Sequence, residues 1–163
     1  MSSSPPLSIE RLAFRLQQLP GVGAAKLRKI LAGIRVRGQS AEDFVALDEQ
    51  ALIASHGLSR VAAKQLACPS PTEDDIWGKL AAQGVKLLVQ GWDGYPERLT
   101  AMLGDTAPPI LYVRGATELL AAPGVGFCGS RKASERGLGV AGECARLLSA
   151  DHINIVSGYA HGV

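Results

Sequence analysis

The residues best equipped for chemistry are Gly129, Ser130, Arg131 and Lys132, with Ser134 two places further on. Before them, Val125-Gly126-Phe127-Cys128 reads as a strand; after them a helical pattern begins. A strand that ends in a glycine turn and opens into a helix gathers unpaired N–H groups and the positive end of a helix dipole at one point. The hydroxyl of Ser130 and the cations of Arg131 and Lys132 would add donors, the planar guanidinium fork being suited to phosphate oxygens. The chemistry is anion capture. The same residues also fit an ordinary turn with both cations merely solvated, because short glycine motifs recur by chance. The loop carries neither the G-x-G-x-x-G dinucleotide fingerprint nor the G-K-[ST] of a Walker loop.

A second set follows at Ser157-Gly158-Tyr159-Ala160-His161-Gly162. It comes directly after an apolar strand pattern at 153–156. In a parallel strand–helix–strand unit both strands end on one edge, so this loop is expected beside residues 129–131, where open α/β sheets bind ligands. Ser157 and His161 could hydrogen-bond there, and Tyr159 could stack on a base. A glycine loop with Tyr159 turned into a core is the other reading. A third candidate is the Gly21-Val22-Gly23 turn with Lys26 close by. There, amides at a helix start suit one DNA phosphate, read without sequence preference. That turn equally fits a plain helix connector or part of a protein-docking module.

Catalysis finds no such support. No carboxylates are paired for acid–base work, and His161 has no Ser or Cys partner in a nucleophile motif. Cys68, Cys128 and Cys144 are widely spaced, with no C-x-x-C, so neither a disulfide framework nor a zinc site is expected. We expect Cys128 and Cys144 to be small buried apolar residues. No metal and no cofactor is expected.

These sites need elements to hold them. Ser8 caps a helix with Ile9, Leu12, Ala13, Leu16 and Leu19 at helical spacing, and Pro20-Gly21 stops it. A second helix follows Gly23 and breaks at Gly33 and Gly38; Ser40 with Glu42 and Asp43 starts a third. The run 19–27 then repeats at 55–63, helix, glycine hairpin, helix, at an offset of 36 residues. Thr72 caps a helix over 73–83. Strands are expected at 85–89, 110–113, 125–128 and 153–156, a turn at 93–96, short helices at 97–103 and 118–121, and a helix at 134–149 with Leu138, Ala141, Ala145 and Leu148 inward. Trp77 and Trp92 suit a core or a domain contact better than a stacking platform.

The 163 residues, 47% hydrophobic and 20% charged, suit a soluble globular protein of one ordinary domain or two small ones. The first 40 residues hold seven Lys or Arg against the single acid Glu10. Such a segment makes a polyanionic partner plausible. No apolar run approaches the roughly 20 residues of a membrane span, and the start lacks the regions of a signal peptide, so a cytoplasmic setting is expected. The expected organisation is α/β. It has a leader at 1–7, a helical domain of helix-hairpin-helix or SAM-like type at 8–68, a linker at 69–72, and the first part of a Rossmann-like parallel-sheet domain at 73–163. Because one strand–helix–strand unit cannot cover both faces of a parallel sheet, we expect a piece of a longer protein or a sheet completed by a partner chain.

Five stretches taken in order resemble the DNA-processing protein A family (DprA, or Smf). They are Leu19-Pro20-Gly21-Val22-Gly23; Asp93-Gly94-Tyr95-Pro96 through Leu99, like D-x-x-Y-P-x-x-L; and Pro108-Pro109-Ile110-Leu111-Tyr112 through Gly115, like P-P-x-L-Y-x-x-G. The other two are Gly129-Ser130-Arg131 through Gly137, like G-S-R-x-x-[ST]-x-Y-G, and Ser157-Gly158 through Gly162, like S-G-x-A-x-G-I-D. Arg136 departs from the usual aromatic, Val163 from the usual Ile, and the final Asp is missing. The resemblance implies a non-enzymatic protein that binds and protects incoming single-stranded DNA and loads the RecA recombinase during natural transformation, acting as a homodimer away from membranes. It also implies a DNA pocket around Gly129, Ser130 and Arg131, joined by Ser157, Gly158 and Gly162. The alternative is an enzyme acting on a nucleotide or phosphoribosyl compound, for which Glu135 is the one carboxylate near the loop.

Overall fold

Small polar residues before apolar periods set most helix starts in this chain. The computed structural model describes residues 6–68 and 70–158. Ser8, Ser40, Asp48, Ser59, Ser70 and Ser134 each accept a backbone N–H from the first turn of the helix that follows. The helices are α1 (Ile9–Gln18), α2 (Ala24–Arg37), α3 (Ala41–Val45), α4 (Glu49–His56), α5 (Arg60–Ala67), α6 (Pro71–Ala82), α7 (Glu97–Leu103) and α8 (Glu135–Ala150). The strands are β1 (Val85–Val89), β2 (Ile110–Arg114), β3 (Gly124–Phe127) and β4 (Asn154–Ser157). The chain is thus α/β, six helices followed by strands that alternate with α7 and α8. It divides into two units, one ending at Thr117 and the other starting at Glu118.

In the first unit, Leu12 and Leu16 of α1, Leu27, Ile30, Leu31 and Ile34 of α2, Phe44 and Leu66 form one buried core. Leu87, Val89 and Ile110 of the β1–β2 pair belong to the same core. That core runs past the expected linker at 69–72 without a break. α6 starts inside the linker because Ser70, not Thr72, is the cap and Pro71 fills the first turn, where its missing N–H costs nothing. Trp77 on α6 packs against Phe14, ring centroids 5.4 Å apart, as a core residue. The repeated hairpins are both present. Gly21 (φ +76°) and Gly57 (φ +64°) take the left-handed turn position, and Val22 and Leu58 are the buried apolar residues that follow.

β1 and β2 pair antiparallel, Val85 opposite Arg114 and Val89 opposite Ile110, in a sheet of their own. The expectation of one parallel sheet over 73–163 is corrected here. The chain leaves β1 at Val89 and returns at Ile110 on the same end of the pair, so 90–109 works as a long hairpin loop. Two features fasten that loop. Gln90 N donates to the Pro109 carbonyl at 3.0 Å, and the buried Tyr95 phenol donates to the Pro108 carbonyl at 2.6 Å. The Asp93-Gly94-Tyr95-Pro96 turn and the Pro108-Pro109 segment therefore form one hydrogen-bonded unit.

The second unit holds the parallel pair. Gly124 faces Asn154 and Phe127 faces Ser157, with α8 as the crossover. No described residue of this unit is buried. α8 half-buries Gly137, Ala141, Ala145 and Leu148, whereas Leu138, expected to face inward, is exposed. Cys128 and Cys144, expected to be buried, are exposed free thiols, as is Cys68. Two strands and one helix give each side chain a neighbour on one side only, which leaves Val125, Ile155 and Val156 partly open as well. Among the described residues no helix is long and apolar enough to cross a membrane.

Candidate nucleic-acid interface

The parallel register decides which sequence candidates meet. Because Phe127 pairs with Ser157, the loop that starts at Cys128 and the loop that starts at Gly158 leave the sheet side by side. Gly129, Ser130, Arg131 and Lys132 thus share the carboxyl edge of the strands with Ser157 and Gly158. Tyr159, His161 and Gly162 lie outside the described residues. Within the loop, Ser130 Oγ accepts the Lys132 backbone N–H at 3.1 Å, and Ser134 Oγ accepts that of Gly137 at 3.2 Å. Both hydroxyls therefore shape the turn. Ser134 satisfies one first-turn donor of α8 and leaves the others to the solvent side. Arg131 and Lys132 are exposed and make no ion pair among the described residues. The arrangement can hold an anion by backbone dipoles and two mobile cations. Among the described residues no three His, Cys, Asp or Glu side chains approach closely enough to hold a metal ion.

The hairpin candidates lie in the first unit. Gly23 is the N-cap of α2 and supplies no side-chain bond to it, so the helix start after Gly21-Val22-Gly23 is open. In the second copy, Ser59 Oγ occupies the equivalent place by accepting Ala62 N at 3.1 Å. Lys26, one turn into α2, donates to the Gly57 carbonyl at 3.1 Å and so joins the two hairpins.

α2 itself was under-read in the sequence. Its fourteen residues hold Lys26, Arg28, Lys29, Arg35 and Arg37 and no acid. None of the five forms an ion pair among the described residues. Arg28 and Arg35 border a cavity of ≈ 710 Å³ against the turn at 90–95, together with Trp92 and Tyr95. Arg28 Nη2 donates to the Ala107 carbonyl there at 2.8 Å. Lys26, Lys29 and Arg37 border a groove of ≈ 1060 Å³ with His56 and Gly57. Burial and, less strongly, the Arg37 cation hold the His56 imidazole below its ordinary range. His56 also meets Phe44 edge-on, ring centroids 4.7 Å apart. The signal that could have found this groove is the spacing 26, 29, 33, 37, which is one face of a helix.

The chain is an α/β protein in which one unit carries a strand–loop–helix turn with two exposed cations on a parallel strand pair, and the other carries a helix with five cations and no acid. Residues 86–163 match the family described as DNA recombination-mediator protein A. The match covers β1 onward, including the Gly129–Arg131 loop and the Ser157-Gly158 turn; the hairpin at 19–23 lies before it. No curated protein matches the chain. The matched segment contains four of the five motif stretches, and the family's description names a role in DNA recombination.

Proposed function

We propose that this protein binds single-stranded DNA without catalysing a reaction, and passes that DNA to the RecA recombinase. The phosphate backbone sits against Arg131, Lys132 and the amides around Gly129, Ser130 and Ser134. Ser157, Gly158, His161 and Gly162 complete the site. The Gly21-Val22-Gly23 turn with Lys26 takes a further phosphate. Residues 118–163, which hold the parallel strand pair, work as the DNA-binding part and the helices of 8–68 as a companion to it, in a homodimer in the cytoplasm. The observation that carries the reading is the pairing of Phe127 with Ser157, by which Cys128 and Gly158 follow their strands on one edge, with Arg131 and Lys132 making no ion pair among the described residues.

Fluorescence anisotropy with labelled oligo-dT over a salt series tests it. Arg131 accounts for a charge-assisted contact of about 1.5–3 kcal/mol, so Arg131→Ala weakens binding by about ten- to hundredfold. The log–log salt slope falls by about 0.7, the single-strand value for one phosphate. Unchanged binding by a folded Arg131→Ala chain rejects the loop assignment.

A further inference from the structure

We propose that the groove along α2, bordered by Lys26, Lys29, Arg37 and His56, is a second track for a nucleic-acid backbone, separate from the Gly129–Lys132 loop. This rests on the DNA-binding reading and extends it to a surface outside the segment that matches the family.

Three observations carry the inference. The first is unbalanced charge. The groove is lined by Lys26, Arg28, Lys29 and Arg37 against one carboxylate, Asp105, and among the described residues Asp105 forms an ion pair with none of them. Like charges set this close on one helix repel, a standing cost that a bound polyanion removes. The second is length. From Lys26 to Arg37 the helix rises about 16 Å, too far for one phosphate group to touch both. It is the axial rise of about five nucleotides at the 3.4 Å duplex spacing, so several phosphates of one strand fall within it. A free phosphate or a nucleotide would use part of this array; a strand uses all of it. The third is how α2 is seated. Its apolar residues Leu27, Ile30, Leu31 and Ile34 are in the core. Val36 is the one large apolar side chain of α2 left exposed, at 88%, too little for the broad apolar face that a membrane-bound basic helix needs. The cations are left on the outside, and the Lys26 bond to the Gly57 carbonyl holds the turn of the second hairpin at the groove wall.

The site is a phosphate track: beside its cations the groove offers one imidazole and the Ser55 hydroxyl, and no amide side chain. Lys29 and Arg37 are exposed and make no hydrogen bond to another described residue, so replacing them leaves the core untouched.

The test compares the full chain, Lys29→Gln/Arg37→Gln, Arg131→Ala and the triple variant. Labelled oligo-dT is followed by anisotropy across salt, and the unlabelled oligonucleotide by amide shifts in a nitrogen-15-labelled chain. The double variant is expected to bind about tenfold more weakly in low salt. Its salt slope should fall by about 1.4, two phosphate contacts at the single-strand value. Amides of residues 25–37 and 55–57 should shift with oligo-dT in both the parent and the Arg131→Ala chain. If the double variant keeps the parent's affinity and slope while Arg131→Ala loses both, the α2 track is wrong and the loop assignment stands. If Arg131→Ala changes nothing and the double variant loses binding, the track stands and the loop assignment fails. If polyglutamate displaces the oligonucleotide from α2 at equal charge concentration, the surface is a dock for acidic protein and the proposal is overturned.

Discussion

Arg15 is the place to test how the first unit is held together. Its side chain is only 8% exposed, and its Nε lies 2.9 Å from Glu73 Oε1, which is 13% exposed. The contact is an ion pair by distance, although its angle falls short of a hydrogen bond. Its Nη2 donates to the Leu66 carbonyl at the end of α5. One guanidinium therefore ties α1, α5 and α6. At an effective dielectric of about 20 the gross attraction at 2.9 Å is about 6 kcal/mol, most of it offset by taking both charges out of water. Burial is the larger influence on Glu73, pushing its carboxyl up; Arg15 pulls it down, Asp74 raises it again and Arg11 lowers it. Arg15→Met strips the partner from a buried carboxylate and the donor from Leu66, and breaking a buried pair from one side costs about 3–5 kcal/mol. The midpoint of thermal unfolding should drop by about 10 °C, at 2–4 °C per kcal/mol for a chain of this size. Glu73→Leu alone strands the guanidinium and costs a similar amount. The double variant, apolar on both sides, should come within about 1 kcal/mol of the parent. Urea unfolding followed by far-UV circular dichroism at pH 7 gives all four corners of the cycle. The pH sign also follows. A raised carboxyl contributes stability that is full below its ordinary value of 4.5 and is lost as pH rises through the folded value. Glu73→Gln should therefore gain on the parent as pH rises through that window. Additive single effects, or a loss under about 1 kcal/mol for Arg15→Met, would refute the claim that this pair is buried and coupled.

Phe44 is 0% exposed, and Phe44→Ala should destabilise the chain by about 3–5 kcal/mol in the same urea assay. Gly91 has φ +89°, and a Cβ there would lie 2.9 Å from Arg35 Nη1. Gly91→Ala should cost about 1–2 kcal/mol from the left-handed backbone, with little relief from Arg35→Ala, because the flexible guanidinium can swing aside. His56 should titrate below 6.5 by proton NMR, and Arg37→Gln should move it back part of the way, since burial is the larger cause. A depressed imidazole gives stability present above pH 6.5 and lost as pH falls through the folded value, so His56→Gln should flatten the unfolding midpoint over that interval.

The sequence by itself determined most of the elements and the candidate loop. Helix starts are local events: a serine hydroxyl meets an amide three residues on, and Ser8, Ser40 and Ser134 cap where their sequence context says they should. The left-handed glycines of both hairpins are equally local, as is the Gly129–Ser134 run between strand and helix. Tertiary structure decided which strands pair and in which sense. β1 and β2 meet antiparallel because Tyr95 and Gln90 bond across to Pro108 and Pro109, partners some 13 to 19 residues away that no window of periodicity reveals. It decided that Leu138 faces out and Gly137 in, a rotation of one residue that the apolar pattern of α8 leaves open. It also gathered Lys29, Arg37 and His56 on one wall. Charge count alone put cations in the first forty residues. Only the burial of Leu27, Ile30, Leu31 and Ile34 against α1 and α4 turned their heads to the same side, since an apolar face must find a core before the opposite faces of the helix acquire a direction.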